Sequence, residues 1–148
     1  MRHVKLNARM PGRKASEVFP ILCDLERYPS CAEVVRSLTI LERDGDRLVS
    51  KWEVAFQGGV LRWTEEDLMN SSDYVWRFRQ LEGDAAHFAG EWGVRDEDYG
   101  CALWFSAEFK IGIPGLEAMF GPIAEKALRD SMRSMIRGLL GDAFEEVE

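Results

Sequence analysis

The first polar–apolar pattern in the chain is a strict alternation: Val4, Leu6 and Ala8 against Lys5, Asn7 and Arg9, the two-residue period of a strand with one buried face. Pro11-Gly12 closes it. The period then lengthens to that of a helix over 14–27, with Val18, Ile21, Leu22 and Leu25 on one side. Pro20 removes a backbone donor inside that stretch, so two short helices or a kink are expected. Beyond Tyr28-Pro29 the period returns to two, and stays there for most of the chain. Strands are expected over 34–42, 47–56, 60–69, 74–81, 87–96 and 100–111. Asp44-Gly45, Gln57-Gly58-Gly59 and Asn70-Ser71-Ser72-Asp73 mark three of the turns. Pro114-Gly115 ends the last strand and the remainder reads as helix to near Glu146. Phe120-Gly121-Pro122 is read as a break, with Pro122 in the first turn of the main helix. The apolar stripe of that helix is Ile123, Ala127, Leu128, Met132, Met135, Ile136, Leu139 and Leu140. The order predicts an α+β fold: a seven-stranded curved antiparallel sheet around a long C-terminal helix, with two short helices after the first strand.

A meander of this length must curl to cover one helix, and the curl leaves space between sheet and helix. Five Trp, eight Phe and six Met are more than a chain of this size needs for folding alone. A hydrophobic cavity is therefore expected. A ligand held there is expected to meet Tyr28, Trp52, Trp63, Phe88, Trp92, Phe105, Met132 and Met135.

Length and charge narrow the functional classes. At 148 residues the expectation is one ligand-binding domain over 1–148. No apolar run approaches the roughly 20 residues of a membrane span, and the first residues show no signal-peptide core; a cytoplasmic location is expected. The net charge of −7 argues against nucleic acid, which demands a basic stripe. Cys23, Cys31 and Cys101 are odd in number and lack the spacing of a zinc site. No metal-ligand cluster, phosphate loop or cofactor motif stands out, so no cofactor is expected. The 142–148 tail is acidic and expected to fray.

The element order resembles the helix-grip superfamily, which includes the birch-pollen-allergen fold, START lipid-transfer domains and polyketide cyclase/dehydrase proteins. Asp24-Leu25-Glu26-Arg27-Tyr28-Pro29 after the short helix resembles both the polyketide aromatase/cyclases and the ubiquinone-binding and ribosome-association-toxin branch. Leu81-Glu82-Gly83 through Gly90-Glu91-Trp92 resembles that second branch, as does Leu116-Glu117-Ala118-Met119-Phe120-Gly121 through Met132. The resemblance implies a sheet–helix cavity for a polyketide, quinone, lipid or hormone, and in some members work beside a polyketide synthase. Two departures stand out. The pocket arginine of the aromatase/cyclases aligns with Asp67 here, and their tyrosine near the Tyr-Pro pair aligns with Val35, so neither group carries over.

Strand 60–69 holds the candidate chemistry. Its odd face is Leu61, Trp63, Glu65, Asp67 and Met69, bulkier than the even face, and is expected to point at the helix. Glu65 and Asp67 would then sit about 7 Å apart in apolar surroundings, where raised pKa values suit a general acid or base. The loop after Met69 decides what joins them. A two- or four-residue loop brings Tyr74, Trp76 and Phe78 to their face; a three-residue loop brings Arg77 and Arg79 instead. The resemblance favours an inward Arg79, so the candidate catalytic set is Asp67, Glu65 and Arg79. His87 shares a face with Ala89, Glu91 and Gly93 and is expected to point outward. Three functions fit. One is a cofactor-free cyclase or dehydratase acting on a polyketide-like chain. Another is a non-catalytic carrier of a quinone, lipid or other apolar ligand. The third is a domain acting on a macromolecular partner, with ribosomal RNA disfavoured by the acidity.

Overall fold

The computed structural model describes residues 1–112 and 117–147. The chain runs β1 (Arg2–Pro11), α1 (Ala15–Cys23), a 3₁₀ turn (Leu25–Arg27), α2 (Tyr28–Cys31), then β2 (Val35–Asp44), β3 (Arg47–Phe56), β4 (Gly59–Asn70), β5 (Val75–Gly83), β6 (His87–Glu97), β7 (Gly100–Lys110), α3 (Glu117–Leu140) and β8 (Glu145–Val147). Each strand from β2 to β7 pairs antiparallel with the next; β1 returns to pair with β7, giving the order β2-β3-β4-β5-β6-β7-β1-β8. The alternation that predicts the strands is the burial pattern itself. In β7, Cys101, Leu103, Phe105, Ala107 and Phe109 are buried and their neighbours are not. The curved sheet wraps α3, whose Leu128, Met132, Met135, Ile136 and Leu139 are buried.

Four expectations are corrected. The described residues form eight strands, not seven, because the acidic tail does not fray: Asn7 pairs with Val147, and Arg133 on α3 grips Glu146 through Nε and Nη2 at 2.6 and 2.8 Å. α3 ends at Leu140 rather than near Glu146, where Gly141 takes the left-handed conformation (φ 87°) that terminates helices. Phe120-Gly121-Pro122 is no break, and Pro122 lies within a helix already running from Glu117. The two short helices expected after the first strand are present as α1 and α2, but the break does not fall at Pro20: α1 continues through that residue, which deprives only the Ser16 carbonyl near the first turn of its donor, and stops after Cys23. The proposed stop at Pro114-Gly115 falls outside the described residues.

α2 and α3 meet at a glycine. A Cβ on Gly138 would lie 2.1 Å from the Cys31 carbonyl oxygen and 2.9 Å from the Ala32 Cα, both backbone atoms that cannot step aside. Gly138→Ala is therefore expected to destabilise the protein by about 1–3 kcal/mol through overpacking, against the gain alanine gives in an open helix. Urea denaturation of the variant reads the sign directly.

Candidate active site

The loop between β4 and β5 sets the site. Asn70 pairs with Val75, leaving residues 71–74 as a four-residue connection, in which Asn70 Oδ1 accepts from the backbone N–H groups of Ser72 and Asp73 at 3.0 and 3.1 Å. With that loop length Met69 faces Trp76 and Asp67 faces Phe78, so aromatic rings share the inner face with the acids. Arg79 pairs with Glu66 instead and lies on the outer face, where its Nε donates to Glu66 at 3.0 Å. Arg47 reaches the same carboxylate at 2.7 Å, and the two arginines hold Glu66 below the usual carboxylate range. Arg79 is removed from the catalytic set by this geometry. His87 also faces outward, 3.0 Å from Glu108.

Glu65 and Asp67 are both inside, 2% and 0% exposed. A bulge in the β4–β5 ladder lies beside Glu65: Thr64 pairs with Glu82 and Glu65 with Gln80, so the extra residue is Leu81 on β5. Asp67 is well supplied with donors. Ser50 Oγ donates to Oδ2, Trp76 Nε1 donates to Oδ1 at 2.8 Å, and Trp52 Nε1 in turn donates to Ser50 Oγ at 2.8 Å. Glu65 receives one bond, from Trp63 Nε1 to Oε1 at 2.6 Å, and its buried Oε2 is reached by no donor.

That asymmetry favours charge on Asp67 and the proton on Glu65. Burial, and then the neighbouring Asp67 charge, push the Glu65 carboxyl well above the usual range. Burial also raises Asp67, but the hydrogen bonds from Ser50 and Trp76 oppose the rise. Of the two carboxyls, Glu65 is therefore the one that holds a proton more firmly, and Asp67 the one better placed to carry charge. The charge is felt nearby: burial and Asp67 push the Cys23 thiol up to about 12.

Rings box in the pair. Trp52 stacks on Trp63 at 5.5 Å and on Trp76 at 6.5 Å, Trp76 stacks on Trp92 at 6.0 Å, and Tyr28 sets its edge against Trp52 and Trp76. All eight residues expected to meet a ligand, from Tyr28 to Met135, line one inner void together with Glu65 and Phe78, but that void measures only about 20 Å³. The spacious cavity lies next to it. It measures about 390 Å³ and is walled by Phe56, Leu61, Phe109, Ile111, Ala124 and Leu128, with Gln57, Gln80 and Asp84 as its polar groups. It reaches solvent beside Phe120 and Ile123, 44% and 47% exposed on α3. Trp63 and Phe88 line both spaces and meet edge-on at 5.5 Å between them.

Sequence reasoning missed this outer chamber and Ser50. Ser50 left a signal, a polar residue on the β3 face otherwise built from Leu48, Trp52, Val54 and Phe56. The chamber left none, because its walls come from the ends of several elements. Among the described residues no group of three or more His, Cys, Asp and Glu side chains is placed to hold a metal, and no helix is long and apolar enough to cross a membrane.

Residues 12–136 match the family model described as polyketide cyclase / dehydrase and lipid transport. The chain belongs to this family. Similar folds recur among solved structures. The Thermus thermophilus protein TTHA0849 is 25% identical, with a TM-score of 0.85 over 93% of this chain and 94% of its own. The Zhui aromatase/cyclase from Streptomyces sp. R1128 is 22% identical, with a TM-score of 0.71 over 92% and 84%. A START superfamily protein from Mycobacterium smegmatis is 16% identical, with a TM-score of 0.72 over 96% and 97%. Comparison with curated proteins gives no match. Membership in the family fits a cavity between sheet and helix; it leaves open whether the cavity catalyses or carries, since the family's description spans both.

Proposed function

We propose that residues 1–148 form one ligand-binding unit that takes up a flat, apolar, carbonyl-bearing molecule of the polyketide type and promotes its dehydration or ring closure, with Glu65 as proton donor. The observation that carries this reading is Glu65 Oε2, a buried carboxyl oxygen that no donor reaches, in a box of aromatic rings. A carboxyl whose pKa is raised by apolar burial is an acid still loaded at neutral pH. Chemistry on a β-hydroxy ketone illustrates its use. Glu65 gives its proton to the departing hydroxyl as the C–O bond breaks, and the resulting carboxylate takes the α-proton. Water and a conjugated ketone form, and Glu65 is neutral again. Asp67 lies behind Glu65 and does not line the void, so its part is positional: its charge keeps the proton on Glu65. Trp63 and Phe88, which line both spaces, offer the ligand aromatic surface.

A second reading, carriage of an apolar ligand without turnover, is favoured by the outer chamber, where side chains from Phe56 to Leu128 supply mostly hydrocarbon. Native mass spectrometry of freshly purified protein, followed by solvent extraction, separates the two. The catalytic reading expects no stored ligand at stoichiometric level, because a reactive substrate is consumed. A quinone or lipid retained one per chain makes carriage the function.

A further inference from the structure

The proposed chemistry places the departing hydroxyl and the α-carbon at Glu65, yet the space able to hold a substrate stops short of that residue. Among the described residues, Trp63 and Phe88 are the two that line both the chamber of about 390 Å³ and the void of about 20 Å³. The void has room for about one water molecule, not for a ring. A ligand in the outer chamber therefore meets Glu65 only if one of these two side chains moves.

The two are held very differently. Trp63 is fixed at three points: its indole N–H donates to Glu65 at 2.6 Å, its face stacks on Trp52 at an interplanar angle of 7°, and its backbone pairs with both β3 and β5. Phe88 has no polar anchor. Its ring makes tilted and edge contacts with Trp63 at 5.5 Å and Phe78 at 5.1 Å. Its backbone is also the looser one. The β5–β6 ladder stops at the Arg79–Ala89 pair, so Phe88 is paired only on the β7 side, opposite Phe109, at the start of its strand. Backbone paired on one side near a strand end opens at lower cost than a ladder interior paired on both.

We infer that Phe88 is the movable wall of the site and the residue that determines whether a ligand rests in the outer chamber or reaches Glu65. This rests on the reading of Glu65 as the proton donor, but it concerns access to that group rather than turnover. Binding is then a two-step event. A ligand first fills the outer chamber; then Phe88 turns aside, the two spaces join, and a ligand oxygen accepts a hydrogen bond from the Glu65 carboxyl. Trp63 stays in place throughout and keeps Glu65 in position through its indole N–H.

The test is stopped-flow binding of the three-ring hydroxyanthraquinone emodin, followed by tryptophan fluorescence and by the infrared carbonyl stretch of protonated Glu65. The stretch is assigned by its loss in Glu65→Gln. The wild type should show a fast fluorescence step with the carbonyl band unmoved, then a slower step in which the band shifts. Phe88→Leu, which keeps an apolar side chain and the fold, should speed the second step by about tenfold, since relief of a required conformational change raises the rate. Phe88→Ala should merge the two steps. A band that shifts within the first step of the wild type overturns the proposal, as does a second step whose rate ignores both substitutions. Binding without any shift of the band overturns it too, while leaving the outer chamber as a carrier site. Absence of binding in all three proteins removes the gate and the cavity reading together. Loss of turnover as a function, by contrast, leaves the two-step binding intact.

Discussion

Glu65→Gln is expected to lower turnover of a dehydratable or cyclisable substrate by a factor of about 10²–10⁴, the usual contribution of a general acid, while ligand affinity and fold persist. Glutamine is close in shape to a neutral carboxyl, and its amide oxygen still accepts from the Trp63 indole. What it lacks is the transferable proton. The same variant is expected to be more stable than the wild type at neutral pH. Glu65 has its carboxyl pKa raised in the fold, so between the unfolded and the native pKa the native state keeps a proton that the unfolded chain releases. The unfolded state then binds fewer protons than the native state, and wild-type stability must fall as pH rises. The loss begins near the unfolded carboxyl pKa of about 4.3 and grows by about 1.4 kcal/mol per pH unit until the native pKa is reached. The Glu65→Gln advantage should therefore be absent near pH 4 and widen towards neutrality. Urea denaturation at a series of pH values measures it. A constant difference between the two proteins across that range would mean that Glu65 ionises normally.

Trp76→Ala is expected to produce the largest structural effect. Trp76 is among the largest fully buried side chains, stacked between Trp52 and Trp92 with Tyr28 on its edge. Truncating a buried tryptophan costs about 3–5 kcal/mol. Leaving the buried Asp67 oxygen without its donor costs about 1–3 kcal/mol more. Together these approach the whole stability of a typical domain, about 5–15 kcal/mol, so a loosely packed or unfolded chain is expected by near-ultraviolet circular dichroism. Trp76→Phe separates the two contributions. It keeps most of the ring contact and removes the N–H, so it should cost only the hydrogen bond. It should also draw the shared proton of the acid pair towards Asp67, because Asp67 loses one of the donors that favour its charged form. Turnover in Trp76→Phe should fall even though the side chain carries no proton of its own, and it should fall less than in Glu65→Gln. A fully active Trp76→Phe would show that Asp67 does not govern Glu65.

Much of the fold is legible in the residue pattern. Strand 47–56 begins and ends where its alternation does, and the inward face of β4 follows from the bulk of Leu61, Trp63 and Met69. Those are local consequences of a two-residue period with one buried side. The position of Arg79 is not legible, because it depends on whether the β4–β5 loop holds three residues or four, and a one-residue difference exchanges the faces of the whole following strand. The tail strand is hidden for another reason. Glu145-Glu146-Val147 has no strand pattern of its own and is held by β1 and by Arg133, partners more than ten residues away. Helix ends depart from expectation where proline reads as punctuation: Pro20 and Pro122 are both carried inside helices. The candidate site divides along the same line. Glu65, Asp67 and the rings around them lie on strand and helix faces and can be read from periodicity. The outer chamber is shaped by turns and ends, such as Gln57 in a left-handed turn conformation (φ 50°), and by how far the sheet curls.

The protonation state of Glu65 is decisive, because both the chemistry and the pH dependence follow from it. Infrared spectroscopy of the unliganded protein, wild type minus Glu65→Gln, isolates the carbonyl stretch of this one carboxyl across pH. A neutral, loaded Glu65 predicts that the protonated band persists at pH 7 and disappears only above it. A band already lost by about pH 5–6, the ordinary carboxylate range having been passed, would contradict that and leave the cavity as a binding site without an acid.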